Sequence, residues 1–234
     1  MAEPARSLTE RWGVDLAVLT PEAGPDLWGA ELDLLVAGWS TPHRRYHTLE
    51  HLSEMVRALD DLVTAGDLSV DDARIARLAA WYHDLAYDPR AAAGSNEHRS
   101  ATLARDHLHR LGVDDDVVDA VEALVLMTVE HDADIEASPA RQGVLDAFHD
   151  ADLWILSAPR ARYEQYAEQV RQEYAHVPDT AFAHARAAIL RSLMQRPWLY
   201  RCPHAIGSWE ARARANVSRE LAALAMLSSA QVSE

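Results

Sequence analysis

Lysine is missing altogether: the 22 basic residues are all arginine. Schiff-base catalysis, a P-loop lysine and a kinase-type lysine are therefore excluded. Cys202 is the sole cysteine, so there is no internal disulfide, no cysteine-rich zinc site and no CxxC pair. That composition fits a reducing cytoplasm. None of the nine glycines falls in a GxG pattern, and no Asn-Gly or Asp-Gly hairpin signal occurs. Unbroken apolar runs are short, "ALVLM" being typical, far below the ~20 residues that span a bilayer. No basic block offsets the net charge of -15, and a chain this acidic is repelled by a phosphate backbone. A small anionic substrate stays compatible with it, because a bound metal and a few arginines reverse the local field. The opening "MAEPARSLTERWG" has no apolar h-region. The expectation is a soluble cytoplasmic protein without nucleic-acid or membrane partners.

What is present reads as helix. With 234 residues, 49% hydrophobic and 25% charged, the chain can bury one sizeable core. Proline and glycine punctuate it at Pro21 to Pro25, Gly38 to Pro42, Gly66, Pro89 to Gly94, Gly112, Pro139, Pro159, Pro178, Pro197 and Pro203 to Gly207. Between these marks the periodicity predicts about nine helices, roughly at 27–38, 48–64, 70–85, 97–110, 115–130, 140–156, 160–175, 180–194 and 208–227. This is an all-α, single-domain helical bundle. Trp81, Trp154 and Trp198 read as core.

Three of the segments carry chemistry. In 48–64, Leu52, Met55, Val56, Leu59 and Val63 form an apolar stripe, and His47 and His51 extend it at i,i+4 spacing. In 70–85, Ala76, Ala79, Ala80 and His83 recur on one small-residue face, and Pro89 predicts an end soon after Asp84. In 140–156, Leu145, Phe148, Asp152 and Ile155 share a face, and an aspartate there needs a hydrogen bond, a charge or a metal. His51, His83, Asp84 and Asp152 together suit a divalent first-row metal. Taken alone, "HD" at 83–84 reads better as a helix C-terminal cap with a solvated aspartate. His-Asp pairs recur at 131–132 and 149–150, which leaves Asp150 a rival to Asp152.

The ordered set "RYHTLEHL", "WYHDLAYDP…NEHRSA", "DADLWIL", "YEQYAEQVRQEY" and "ARANVSREL", from about Trp28 to Leu224, resembles the HD-domain superfamily of metal-dependent phosphohydrolases, within it a family of unassigned substrate. The resemblance implies one HD-type domain over 1–234, its core at about 28–156, with C-terminal helices at about 160–227 packing on it. It implies His51, His83, Asp84 and Asp152 as ligands of one or two divalent ions, Mn, Fe, Co, Zn or Mg. "YHTLEH" is similar to the "YHNxxH" of helical cyclic-nucleotide phosphodiesterases, with Thr48 in place of Asn, and so implies His47 as general acid beside the catalytic Asp84. The chemistry implied is hydrolysis of a small phosphate ester, a nucleotide or related phosphorylated metabolite, by a metal-activated water. Candidate substrate contacts are Arg44, Arg45, Glu97, His131 and Arg171, the arginines as bidentate clamps. Two alternatives share the fold: a di-iron oxygenase using His98 and His131 as extra ligands, and a non-catalytic ligand-binding domain. Oligomeric state is left open, a homodimer included.

Overall fold

Eleven α-helices and no strand make up the described residues, 3–129 and 140–230, of the computed structural model. They are α1 (Glu3–Leu19), α2 (Gly24–Trp39), α3 (Leu49–Ala65), α4 (Val70–Tyr82), α5 (Ser95–Leu111), α6 (Asp115–Met127), α7 (Gln142–Asp152), α8 (Arg160–Glu173), α9 (Asp179–Gln195), α10 (Pro203–Ser208) and α11 (Glu210–Ala230). The nine predicted segments fall on α2 to α9 and α11; α1 and the short α10 were not among them. The Pro139 mark ahead of the 140–156 segment lies outside the described residues. No helix among the described residues is long and apolar enough to cross a membrane.

Local chemistry sets the ends that matter. The Thr48 hydroxyl accepts the Glu50 N–H at 3.3 Å and caps α3. At the far end Gly66 takes φ 87°, where a side chain is strained, and returns its N–H to Leu62 and Val63. The Ser69 hydroxyl caps α4 by accepting the Asp72 N–H at 3.0 Å. α4 stops at Tyr82, three residues before the expected end, because side chains take its last carbonyls. His83 Nδ1 bonds the Ala80 carbonyl at 2.9 Å and Trp39 Nε1 donates to that of Trp81 at 2.8 Å. The predicted 140–156 helix is α7 followed by a 3-10 turn, Leu153–Ser157. Asn216 holds that turn by donating to the Leu156 and Ala158 carbonyls at 2.8 and 2.9 Å.

α3, α4 and α7 pack on one another at the centre, α5 and α6 lie against α4, and α11 with α8 closes over the 3-10 turn. Leu52, Met55, Leu59 and Leu62 on α3 are fully buried. Arg77 makes two 2.7 Å bonds to buried Asp15 and one of 3.2 Å to Asp60, tying α4 to α1 and α3. Trp81 is buried and Trp154 partly so, but Trp198 is a correction: it is 57% exposed. It follows Pro197 in the loop after α9, where Leu199 and Tyr200 take the inward places with their N–H groups on Glu210.

Candidate metal centre

Three chain segments bring their polar ends together in a cavity of about 200 Å³. His51 comes from the first turn of α3, His83 and Asp84 from the end of α4, and Asp152 from the last residue of α7. His51 Nε2 and His83 Nε2 face each other at 3.3 Å. Asp84 Oδ2 is 3.1 Å from His83 Nε2, and Asp152 Oδ1 is 3.3 and 3.6 Å from the His51 and His83 nitrogens. One ligand atom each from His51, His83 and Asp84 lies within 4.8 Å of the others, close enough to share an ion. The far side of each ring is already engaged. His83 Nδ1 donates to the Ala80 carbonyl, and His51 Nδ1 is 2.9 Å from the Tyr46 hydroxyl, which stays a neutral phenol because burial pushes its pKa well up. That turns both Nε2 atoms toward the carboxylates and, once His83 has given up its proton, makes the donor set a divalent first-row cation takes.

The electrostatics agree with such a use. Burial opposes charge on His83, but Asp84 and then Asp152 outweigh it and raise the imidazole to about 9. Burial also opposes ionisation of Asp84, yet His83 and His47 hold it well below the usual carboxylate range. At pH 7 the ion-free His83 thus carries a proton, raised from its ordinary 6.5, which must leave before Nε2 can bind a cation. Loading with zinc at pH 7 should release about one proton from this site. Calorimetric titration in two buffers of different ionisation enthalpy measures it; zero release would remove His83 as a ligand.

His47 borders the same cavity, its Nε2 3.9 Å from Asp84 Oδ2. Its Nδ1 is 2.6 Å from Oε2 of Glu173, the last residue of α8, a partner the sequence reading missed. Glu173 also receives the backbone N–H groups of Arg45, Tyr46 and His47 and the Tyr87 hydroxyl. Burial resists its charge, but the His47 bond and these donors hold it down at about 2. The His47 pKa is raised: burial opposes it, and Asp84 and Glu173 prevail. A signal for Glu173 did exist, since Tyr163, Tyr166, Val170 and Glu173 recur at helical spacing as the buried face of α8.

The arginines expected to clamp substrate stand elsewhere. Arg44 is buried behind the site, donating to Thr41 Oγ1 and to the carbonyls of His47, Asp84 and Leu85 at 2.8–3.0 Å. Its guanidinium lies 5.2 Å from the Trp39 and Tyr87 rings, so it shapes the backbone around Asp84. Arg45 is exposed and turns back on the Pro42 and Arg44 carbonyls. Arg171 caps its own helix end and pairs with Asp179, lining a larger groove of about 810 Å³ between α8, α9 and α11. Among the described residues no arginine lines the cavity around His51, His83 and Asp84. Glu97 and Thr128 do line it; His131 lies outside the described residues. His98 is exposed on α5 and does not line it.

Asp150 points away from the cavity. Its oxygens accept the backbone N–H of Arg201 at 2.9 Å and of Cys202 at 2.7 Å, and Oδ1 is 3.0 Å from His149 Nδ1. Burial pushes its carboxyl up to about 7 against those bonds. The two aspartates should therefore separate cleanly by mutation. Asp152→Ala should weaken metal binding more than about 100-fold, beyond what losing an outer hydrogen-bond partner costs. Asp150→Ala should keep stoichiometric metal and lose about 2–4 kcal/mol of stability through stranded backbone donors. Metal titration and urea unfolding of both variants measure this; the reverse pattern would exchange the assignments.

No family model, curated protein or solved structure matches the chain. The class that the fold and site define is thus stated from geometry: an all-helical domain with a central His/Asp cluster spaced for a cation.

Proposed function

We propose that this chain is an HD-type, metal-dependent phosphohydrolase acting on a small phosphate ester. The observation that carries the reading is the cluster of two Nε2 atoms and the Asp84 carboxylate, with Asp152 Oδ1 beside both nitrogens and each imidazole already hydrogen-bonded on its other side. A divalent ion bound there supplies Lewis acidity toward water and a phosphoryl oxygen. The chain's own part is to hold the ester and move a proton. A water oxygen forms the new bond to phosphorus and loses one hydrogen to solvent, while the ester P–O bond breaks and its electron pair stays with the departing oxygen. His47 Nε2, on the cavity wall, gives that oxygen a proton. With no arginine among the described lining residues, the ion itself must balance most of the phosphate charge.

The test is a panel of nucleotides and simple phosphate esters. It is run on protein stripped with chelator and reloaded with Mn, Zn, Co or Mg, and anaerobically with Fe. Phosphate release that follows the metal is expected. Oxygen consumption by the iron form without phosphate release would replace this reading with an oxygenase. Tight ligand binding with no turnover would replace it with a binding domain.

A further inference from the structure

We propose that Glu173 is the positioning residue of His47, fixing that imidazole with a hydrogen on Nδ1 so that Nε2 is the nitrogen presented to the departing oxygen; its catalytic consequence rests on the hydrolytic reading above. The Glu173 side chain is fully enclosed and its two oxygens meet five donors. Oε1 takes the N–H groups of Arg45, Tyr46 and His47 at 2.7, 2.9 and 3.1 Å. Oε2 takes His47 Nδ1 at 2.6 Å and the Tyr87 hydroxyl at 2.8 Å. An ionised carboxylate accepts and never donates, so His47 Nδ1 must be the donor in the shortest of these contacts. The ring is packed between Tyr87, with centroids 4.3 Å apart, and Tyr46 at 4.9 Å. Packing fixes the plane of the imidazole, and Glu173 fixes which nitrogen carries the inner hydrogen. Nε2 then faces the cavity, too far from Asp84 Oδ2 at 3.9 Å for a hydrogen bond and with room for a departing oxygen.

One carboxylate also joins the end of α8 to the irregular segment ahead of α3, setting backbone and ring together. In the reaction His47 gives its Nε2 hydrogen to the departing oxygen and remains neutral with a hydrogen on Nδ1, still bonded to Glu173. Solvent returns the proton afterwards.

Glu173→Gln separates this role from a purely structural one. The amide oxygen can still accept the backbone N–H groups, while the amide NH2 faces His47 Nδ1 and forces it to accept. In the ring-nitrogen NMR spectrum of the zinc-loaded protein, His47 should carry its hydrogen on Nδ1 in wild type and lose it there in Glu173→Gln. This readout needs no activity, and a wild-type His47 without a hydrogen on Nδ1 overturns the proposal. In turnover, kcat on alkyl phosphates should fall about 100-fold, the low end for a general acid. KM and metal affinity should stay within about threefold of wild type, and p-nitrophenyl phosphate, whose leaving oxygen needs no proton, should be nearly unaffected. Equal losses on both ester types overturn it. In a His47→Gln background the same change should have no further effect; an undiminished loss there makes Glu173 structural and overturns the proposal. If wild type hydrolyses no ester with any metal, the hydrolytic reading fails, and the spectrum decides the dyad by itself.

Discussion

Asp84→Ala should reduce metal-dependent hydrolysis by at least about 1,000-fold and abolish stabilisation by metal. Asp84 sits 3.1 Å from His83 Nε2, facing His47, and the histidines hold its carboxyl well below the usual carboxylate range. An ion acting on a phosphoryl group is worth several kcal/mol in the transition state, and about 4 kcal/mol corresponds to that factor. Metal at 100 times its Kd adds about 2.7 kcal/mol to the folded state, and the variant should lose that increment. Its ion-free stability should fall as well, because buried His83 loses the carboxylate that holds its proton, so the metal effect is read as the difference between loaded and ion-free protein. Urea unfolding with and without Mn, together with initial rates, measures both. A variant that hydrolyses esters at the wild-type rate would end the mechanism.

Trp39→Ala should be the most damaging single change to the fold, at about 4–6 kcal/mol. Its ring is fully buried, 5.5 Å from the His83 ring and 6.3 Å from that of His51, with Arg44 on its face. Truncating such a ring costs about 3–5 kcal/mol, and losing the bond to the Trp81 carbonyl adds about 1. Trp39→Phe keeps much of the packing and should cost about 1–3 kcal/mol. The damage should reach the candidate metal site, because the tryptophan backs the His51 and His83 imidazoles; metal affinity of the Phe variant should fall while the fold persists. Ion-free urea unfolding followed by metal titration tests the pair. A Phe variant less stable than the Ala variant would show the ring contacts to be strained rather than supportive.

Helical periodicity made most of this legible. It put His51 at the head of an apolar stripe, His83 on a small-residue face and Asp152 on the face of Leu145 and Phe148, and those faces meet. Periodicity does not reveal where a charged side chain spends its hydrogen bonds. Arg44 reads as a phosphate clamp in one dimension, and in three its donors go to carbonyls around Asp84. Arg171 reads as a pocket residue and instead satisfies the end of its own helix. Asp150 and Asp152, two residues apart, separate because α7 turns one toward the backbone at 201–202 and the other toward the cluster. Glu173 is 126 positions from His47, so local spacing gave no hint of their meeting. Its only mark was a place on the buried face of an otherwise polar helix.

The most direct test of the metal centre is anomalous X-ray scattering from crystals of the protein loaded with Zn or Mn. The expected result is a peak within about 2.0–2.3 Å of His51 Nε2, His83 Nε2 and oxygens of Asp84 and Asp152. A peak on other residues, or none at full loading, would contradict it.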